Sequence, residues 1–171
     1  MKKILLMFVA VVTLFQSCKK DEVDGTATRP AAGEWFVTAD AIKEDGSLVA
    51  KDVYGLGHFI IASYNTSENS SSKMFLDDSG NFWDFKGVVN LDINNLTFSA
   101  DNIANNSGDP ITFDVTNGKI LKGAATTPSG VAADSIVFEI KFSDDDDPSE
   151  TGFDKYRITG YRYTGLVNDE D

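Results

Sequence analysis

Apolar and polar residues alternate along several stretches of the chain after residue 33, and this period of two constrains the fold more than any other feature of the sequence. In NFWDFKGVVNLDI, residues 81–93, one face would carry Trp83, Phe85, Val89, Leu91 and Ile93. The stretches ITFDV at 111–115 and SIVFEIKF at 135–142 alternate in the same way. Because successive side chains of a β-strand point to opposite faces of the sheet, the pattern predicts half-buried strands, with Trp83 and Phe85 on the inner face.

Short turn signals separate the alternating runs. We expect Asp45-Gly46, Ser79-Gly80 and Asn117-Gly118 to join strands at 34–42 and 47–53, at 73–77 and 82–92, and at 111–116 and 119–122. All four prolines, at 30, 110, 128 and 148, fall between predicted strands, where the missing N–H harms no ladder. The chain is therefore predicted to be all-β and antiparallel, forming either a β-barrel of about eight strands or a two-sheet β-sandwich.

The N-terminus has the pattern of an export signal. Lys2 and Lys3 precede an apolar run over 4–15, which is too short for a membrane-spanning helix, and Ser17-Cys18 follows. This resembles the signal of bacterial lipoproteins, in which the peptidase cuts before a cysteine that carries acyl chains such as palmitate. The alternative is an ordinary secreted protein with one stray thiol. We predict a signal peptide over 1–17, lipidated Cys18 and a flexible tether over 18–32, and a single β-barrel domain over 33–171.

The residues after the cysteine indicate where such a lipoprotein would reside. Lys19-Lys20-Asp21-Glu22 resembles the signal that sends lipoproteins to the outer face of the outer membrane, and a plain charged linker is the alternative. We therefore predict an outer-membrane, lipid-anchored protein that faces the cell exterior. A tether over 18–32 would have a typical reach of ~20 Å, enough to lift the domain clear of the lipid.

The charge and the residue inventory exclude several partners. A net charge of −12 argues against nucleic acid and against adsorption to anionic lipid heads, so membrane contact is expected through the acyl anchor. No cofactor and no metal is expected, because the single histidine and a lipidated cysteine cannot make a typical zinc site. The run Asp144–Asp147 lacks the spacing of a calcium loop and is interpreted as a solvated loop. The oligomeric state is left open.

The sequence contains no recognisable catalytic set. No serine lies in a G-x-S-x-G elbow, and a Ser-His-Asp triad would have to use His58. A carboxylate pair such as Asp77-Asp78 would need a partner across a cleft to act on a glycoside. Catalysis is therefore not expected, although it stays open. Asp134-Ser135-Ile136 also matches an acceptor pattern for O-glycosylation at Ser135, which a serine at the start of a strand explains equally well.

Five blocks of the chain together resemble a known family. They are GEWFV at 33–37, YGLGHFIIASYNT at 54–66, KMFLDDSGNFWDFKGVVNLDINNLTFS at 73–99, GKILKGAATTPSGVAADSIVF at 118–138 and GFDKYRITGYRYTG at 152–165. They are similar to a family of small gut-bacterial lipoproteins described as lipid-binding putative hydrolases. The resemblance implies a calycin-like β-barrel, the architecture that lipocalins and fatty-acid-binding proteins share. Such a barrel encloses room for one small ligand.

The last predicted strand supplies candidate ligand-binding residues. In KYRITGYRYTG, residues 155–165, Arg157, Tyr161 and Tyr163 share one face, and Tyr156, Ile158 and Arg162 share the other. Whichever face points inward, one arginine enters an apolar barrel and must be paired. Its partner would be Asp84 or Glu34 as a structural bridge, or the carboxylate of a ligand. Trp83, on the inner face, completes the candidate set.

Three function classes follow. The first is a binding protein for a small hydrophobic or amphipathic molecule held in the barrel cavity. The second is a glycan-binding or scaffold lipoprotein of a nutrient-uptake system, whose sign would be aromatic residues on an outer face and a filled interior. The third is a hydrolase, which would need His58 or two carboxylates converging in one cleft.

Overall fold

A computed structural model describes residues 25–170, so the predicted signal peptide, Cys18 and residues 19–24 lie outside the described residues, as does Asp171. The strands are β1 (Gly33–Ile42), β2 (Leu48–Ala50), β3 (Phe59–Asn65), β4 (Lys73–Asp77), β5 (Lys86–Asp92), β6 (Thr97–Ala104), β7 (Thr112–Thr126), β8 (Ala132–Phe142) and β9 (Lys155–Arg162). The helices are α1 (Asp147–Thr151) and a 3-10 turn at Val167–Asp169. Neither helix is long and apolar enough to cross a membrane.

The strands form one closed antiparallel barrel. From β3 to β9 each strand pairs with the next along the chain, and β1 pairs with both β3 and β9. The β1–β9 ladder runs from the Trp35–Arg162 pair to the Ile42–Lys155 pair and closes the ring. The short β2 pairs with the end of β1 and is an extra, ninth strand of the sheet. The barrel prediction is confirmed, and the sandwich alternative is wrong.

Inward-facing side chains fill the barrel. The alternation in β8 buries Ile136, Phe138, Ile140 and Phe142, and the other strands add large side chains that are fully or almost fully buried: Trp35, Ile61, Met74, Leu76, Phe85, Phe113, Tyr156 and Ile158. Aromatic rings contact one another across this core, with Phe98 and Phe138 centroids 5.7 Å apart and Phe85 and Phe113 centroids 5.4 Å apart. The period of two therefore separates core from solvent as the sequence predicts.

Two details of the strands differ from the sequence prediction. Asn117-Gly118 is not a turn between strands, since β7 continues through it as a bulge, with the register shifting between Thr116 and Lys119. Asn117 has φ +55°, and a Cβ on Gly118 would lie 2.4 Å from the Phe98 carbonyl oxygen. The dipeptide thus allows a local kink and a close strand approach rather than a hairpin. Similarly, β5 begins only at Lys86, because residues 78–85 form a loop.

The barrel has two differently built ends. The N-terminal end is formed by residues 25–32, the turns at 66–72, 93–96 and 127–131, and the last segment, 163–170. The aspartate end is formed by the loops at 51–58, 78–85, 105–111 and 143–154, the last of which contains the aspartate run. Because the strands are antiparallel, these two groups of loops lie at opposite ends of the barrel.

Residues 25–32, which the sequence analysis assigns to the tether, pack against the N-terminal end. Thr28 and Ala31 are fully buried. Ser63 Oγ donates a hydrogen bond of 2.7 Å to the Ala31 carbonyl and accepts one of 2.9 Å from Trp35 Nε1. The chain therefore covers this end of the barrel with its own backbone.

The loop at 51–58 takes the place of a ladder that β3 is too short to form. β3 pairs with β1 only as far as Val37, and β2 pairs only from Ala41 onward. Between them, Val53 N–H donates to the Ala39 carbonyl at 3.0 Å, and Asp52 N–H donates to Asp40 Oδ1 at 2.9 Å. A loop, rather than a strand, thus forms this part of the wall.

Closure of the barrel depends on Gly160 in β9. A Cβ at this position would lie 2.1 Å from the Phe36 carbonyl oxygen and 2.6 Å from Val37 Cα. We expect Gly160→Ala to destabilise the domain by about 1–3 kcal/mol, because the methyl group would push β1 and β9 apart. Urea unfolding of residues 25–171, followed by tryptophan fluorescence, measures this change.

The neighbouring Thr159→Ala is the matched control, since its side chain points to the outer wall, and it should cost less than about 0.5 kcal/mol. Equal stability of Gly160→Ala and wild type would show that the two strands are not packed this closely.

Candidate ligand-binding site

Arg162 lies at the N-terminal end and already has its partners. Its guanidinium carbon is 4.5 Å from the centroid of the Trp35 ring. Nε donates to Asp134 at 3.2 Å, and Nη1 donates to the Ala32 carbonyl at 2.7 Å. The arginine thus forms an ion pair with Asp134, rather than with the predicted Asp84 or Glu34, and fastens residue 32 to the barrel.

Arg157 points to the outer wall and takes part in a cluster of charges. Its Nη2 donates to the Gly46 carbonyl at 2.8 Å and lies 3.6 Å from Glu139 Oε1. Glu139 also accepts hydrogen bonds from Lys155 at 2.8 Å and from Asn117 at 2.9 Å. Burial opposes ionisation of Glu139, but these hydrogen bonds outweigh it and lower the pKa of the carboxyl. Arg157 therefore belongs to a structural network outside the barrel.

Tyr161 and Tyr163 are brought together on the outer wall. With Phe36 and His58 they form a group that we call the outer aromatic patch: His58 stacks on Phe36 at 4.8 Å, and the tyrosine rings lie 6.0 and 5.9 Å from Phe36. Tyr161 Oη donates to the Asp169 carbonyl at 2.7 Å, and Tyr163 Oη donates to Glu170. The only histidine of the chain thus belongs to this patch.

Trp83 is half-buried in a loop at the aspartate end, and the prediction that places it on the inner face of a strand is wrong. Asp78 explains the difference. This fully buried carboxylate accepts hydrogen bonds from the backbone N–H groups of Gly80, Phe82, Trp83 and Phe85, at 2.7 to 3.0 Å. These bonds hold residues 80–85 as a loop, in which Phe85 is fully buried as predicted while Phe82 and Trp83 pack half-buried against the core.

Five aromatic side chains close the aspartate end, and we call them the aromatic plug. They are Tyr54, Phe82, Trp83, Phe142 and Tyr156. Trp83 stacks on Phe142 with centroids 5.0 Å apart, and Phe82 meets Tyr156 edge-on at 5.2 Å. Phe82 also stacks at 5.5 Å on Phe59, a buried residue of β3. The plug therefore continues directly into the core.

The aspartate run, interpreted from the sequence as a solvated loop, holds the polar atoms of the plug. Asp144 Oδ1 accepts a hydrogen bond of 3.1 Å from Trp83 Nε1. The Tyr156 hydroxyl lies 2.6 Å from Asp145, and the Tyr54 hydroxyl lies 2.6 Å from Asp147. The two hydroxyls are themselves only 2.5 Å apart. The sequence contains no signal for this arrangement beyond the four consecutive acids.

The surroundings of these hydroxyls perturb the ionisation of Asp145. Tyr156 Oη donates to Asp145, and Tyr54 Oη donates to Asp147. Burial, together with the neighbouring aspartates, raises the pKa of Asp145, although the hydrogen bonds that it accepts act in the opposite direction. Burial also raises the pKa of both tyrosines.

Concave spaces lie on the outer wall and at the aspartate end. Two on the outer wall, of about 470 and 480 Å³, run along β5 to β8 and share Asn90 and Ser99. Their linings combine charged residues such as Asp101 with apolar ones such as Val115. Within the described residues, no group of three or more His, Cys, Asp and Glu side chains is placed to hold a metal. A smaller space of about 160 Å³ at the aspartate end is lined by Phe142 and Tyr156 of the plug.

We expect the plug to loosen as pH rises. The folded-state pKa of Asp145 lies above the ordinary value of 3.8, so the stability that its proton provides is full below that value and is lost as pH rises through the folded-state pKa. Asp145→Asn replaces the carboxyl with an amide that donates at every pH. The difference in unfolding free energy between Asp145→Asn and wild type should therefore shift in favour of the variant as pH rises above the ordinary aspartate pKa of 3.8.

The comparison with Asp145→Asn is needed because other carboxyls act in the opposite direction. Because the folded-state pKa of Glu139 is lowered, the ionised carboxylate stabilises the fold at pH values above the ordinary pKa of a glutamate. This contribution is lost as pH falls through the folded-state pKa. Asp146→Asn, at an exposed position of the same loop, serves as the matched control. A constant difference between Asp145→Asn and wild type across the scan would mean that no proton is bound at Asp145.

Comparison with known proteins identifies the family of the chain. The chain matches the sequence profile of the family described as "Lipid-binding putative hydrolase" over residues 20–167. This range includes all nine strands and both barrel ends. A search of curated proteins found no match. The chain therefore belongs to the family of lipid-binding putative hydrolases.

Proposed function

We propose that this protein is a lipid-anchored protein of the outer membrane, facing the cell exterior, that binds a hydrophobic or amphipathic ligand through the aspartate end of its barrel. The observation that carries the proposal is the aromatic plug. Family membership supports a hydrophobic ligand. The plug is the place where an apolar ligand could enter the core without breaking the barrel ladders.

The two ends would open at very different cost. Opening the N-terminal end would break the hydrogen bonds that Ser63, Lys122 and Arg162 donate to the carbonyls of residues 30–32. It would also expose the fully buried Thr28 and Ala31. At the aspartate end, the loops carry the rings of Tyr54, Phe82 and Trp83. These rings cover Phe59 and Phe142 mainly through ring contacts. An apolar chain that replaced those rings would restore the burial, at ~25 cal/mol for each Å² of apolar surface.

The rim of the aspartate end selects the head group of the ligand. Asp144, Asp145 and Asp147 surround the plug hydroxyls, so a carboxylate head there would meet like charges. Arg157 and Arg162, which the sequence analysis offers for a carboxylate head, are engaged with Glu139 and Asp134. A neutral head with hydroxyl groups fits this rim better, because it can donate to the aspartates.

We expect the domain to bind a long-chain monoacylglycerol more tightly than the fatty acid of the same chain length, by about tenfold or more at neutral pH. Trp83 is the reporter, and Trp35→Phe leaves it as the only tryptophan. Titration of residues 25–171 should give a saturable change in Trp83 emission. Tyr54→Ala, which removes part of the plug, should change the affinity, whereas Leu121→Ala, an exposed position on β7, should not.

Two results would contradict this proposal. Equal affinity for the two lipids would exclude the aspartate rim as the head-group site. The absence of saturable binding would favour glycan binding, the second candidate. Its supporting observation is the outer aromatic patch on a barrel whose interior is filled, and its sign would be binding of soluble glycans that Tyr161→Ala abolishes.

The lipid anchor is tested separately. Cells that express the full chain and take up radiolabelled palmitate should label the wild type and not Cys18→Ala, because the thiol is the acceptor of the acyl group. Ser17→Ala keeps the thiol and a small residue before it, and should be labelled like the wild type. Digestion by a protease added to intact cells should remove the labelled protein. Equal labelling of Cys18→Ala would defeat the anchor.

A further inference from the structure

We infer that the N-terminal end of the barrel is a membrane-docking surface, which rests on the bilayer that holds the acyl chains of Cys18 and inserts the apolar tips Val131, Leu166 and Val167 into its interface. The inference rests on the lipid anchor proposed above. It adds an orientation: the aspartate end, with the plug, faces away from the lipid.

The apolar tips are exposed and stand on two neighbouring segments. Val131 is 53% exposed, Leu166 54% and Val167 78%. Asp169, which is fully buried, joins the segments: it accepts a hydrogen bond of 2.9 Å from Ser129 N–H and one of 2.6 Å from Thr164 Oγ1. These bonds lower the pKa of Asp169 to about 2, so the carboxylate stays charged and keeps the two segments together.

The chain outside the structure ends at this same end of the barrel. Residues 25–32 pack there, and Lys122 Nζ donates to the Pro30 carbonyl at 2.6 Å, next to the Arg162 contact with Ala32. Only residues 18–24 then separate the anchor cysteine from the packed segment. Such a linker has a typical reach of ~15 Å and an upper limit of about 25 Å. A strand the length of β1 spans about 33 Å, which is about 25 Å along the axis when the strands tilt by roughly 40°. The typical reach of the linker is therefore too short for the other end of the barrel to meet the lipid.

The charges at the two ends agree with this orientation. Beside the packed segment, Lys122 and Arg162 both pair with Asp134, at 2.9 and 3.2 Å, so this group carries one positive charge in excess. The aspartate end carries Asp144 to Asp147 and would be repelled by anionic lipid heads. Exposed aliphatic tips near a cationic group suit the interface of a bilayer, where apolar side chains lie at the boundary of head groups and acyl chains.

Depth-dependent fluorescence quenching tests the inference on the mature lipidated protein. Because Cys18 would be acylated, Val167→Cys introduces a single free thiol, which takes an environment-sensitive fluorophore. The matched control is Leu48→Cys, an exposed aliphatic position at the aspartate end. After reconstitution into phosphatidylcholine vesicles that contain lipids with brominated acyl chains, we expect at least twofold stronger quenching at position 167 than at position 48. Adding Leu166→Asp and Val131→Asp to Val167→Cys should reduce quenching to the level of the control.

The outcomes separate this inference from the anchor. Equal quenching at the two positions, in protein that floats with the vesicles, overturns the inference and leaves the anchor intact. Protection of position 167 from a water-soluble quencher, without quenching by brominated lipid, also overturns it and indicates a protein partner on this surface. Failure of the wild-type protein to float with the vesicles defeats the anchor, and the docking surface with it. Far-UV circular dichroism checks that each variant is folded.

Discussion

The β1–β9 ladder is the interaction on which the rest of the structure depends. Without it, the sheet would have two free edges, and the large apolar side chains of its concave face would have no enclosing wall. The ladder requires the backbone of β1 to pass very close to β9, which Gly160 permits. Both barrel ends are built on the two strands of this ladder. The packed N-terminal segment leads into β1, and the loop that holds the plug leads into β9.

The two ends are sealed by different kinds of interaction. At the N-terminal end, backbone carbonyls of residues 30–32 accept hydrogen bonds from Ser63, Lys122 and Arg162. At the aspartate end, aromatic rings on loops cover the core, and carboxylates bond their polar atoms. The first seal thus depends on hydrogen bonds to fixed backbone carbonyls, and the second depends mainly on the burial of apolar ring surface.

The sequence predicts the wall of the barrel better than its ends. Alternation identifies Ile136, Phe138 and Phe113 as core residues. It succeeds because the side-chain period of a strand depends only on residues that are close in the sequence. It fails at Trp83, where a buried carboxylate at Asp78 captures four backbone N–H groups that a strand would have paired. It also fails to identify the arginine partners, Asp134 and Glu139, because they lie opposite the arginines on β8, across the loop at 143–154. Such contacts depend on the register between two strands, which the alternation within one strand does not encode.

Opening of the aspartate end would also disturb the hydrogen bonding of the loop at 51–58 to β1. It covers the one stretch of β1, around Ala39, that neither β3 nor β2 pairs. If this loop moved away with Tyr54, the Ala39 carbonyl would lose its donor and a short strand edge would face solvent. An open barrel would therefore expose a strand edge to pairing with an extended peptide or with the exposed edge of a second copy of the protein. A loop that moved the Tyr54 ring outward while keeping Val53 bonded to β1 would avoid this exposure.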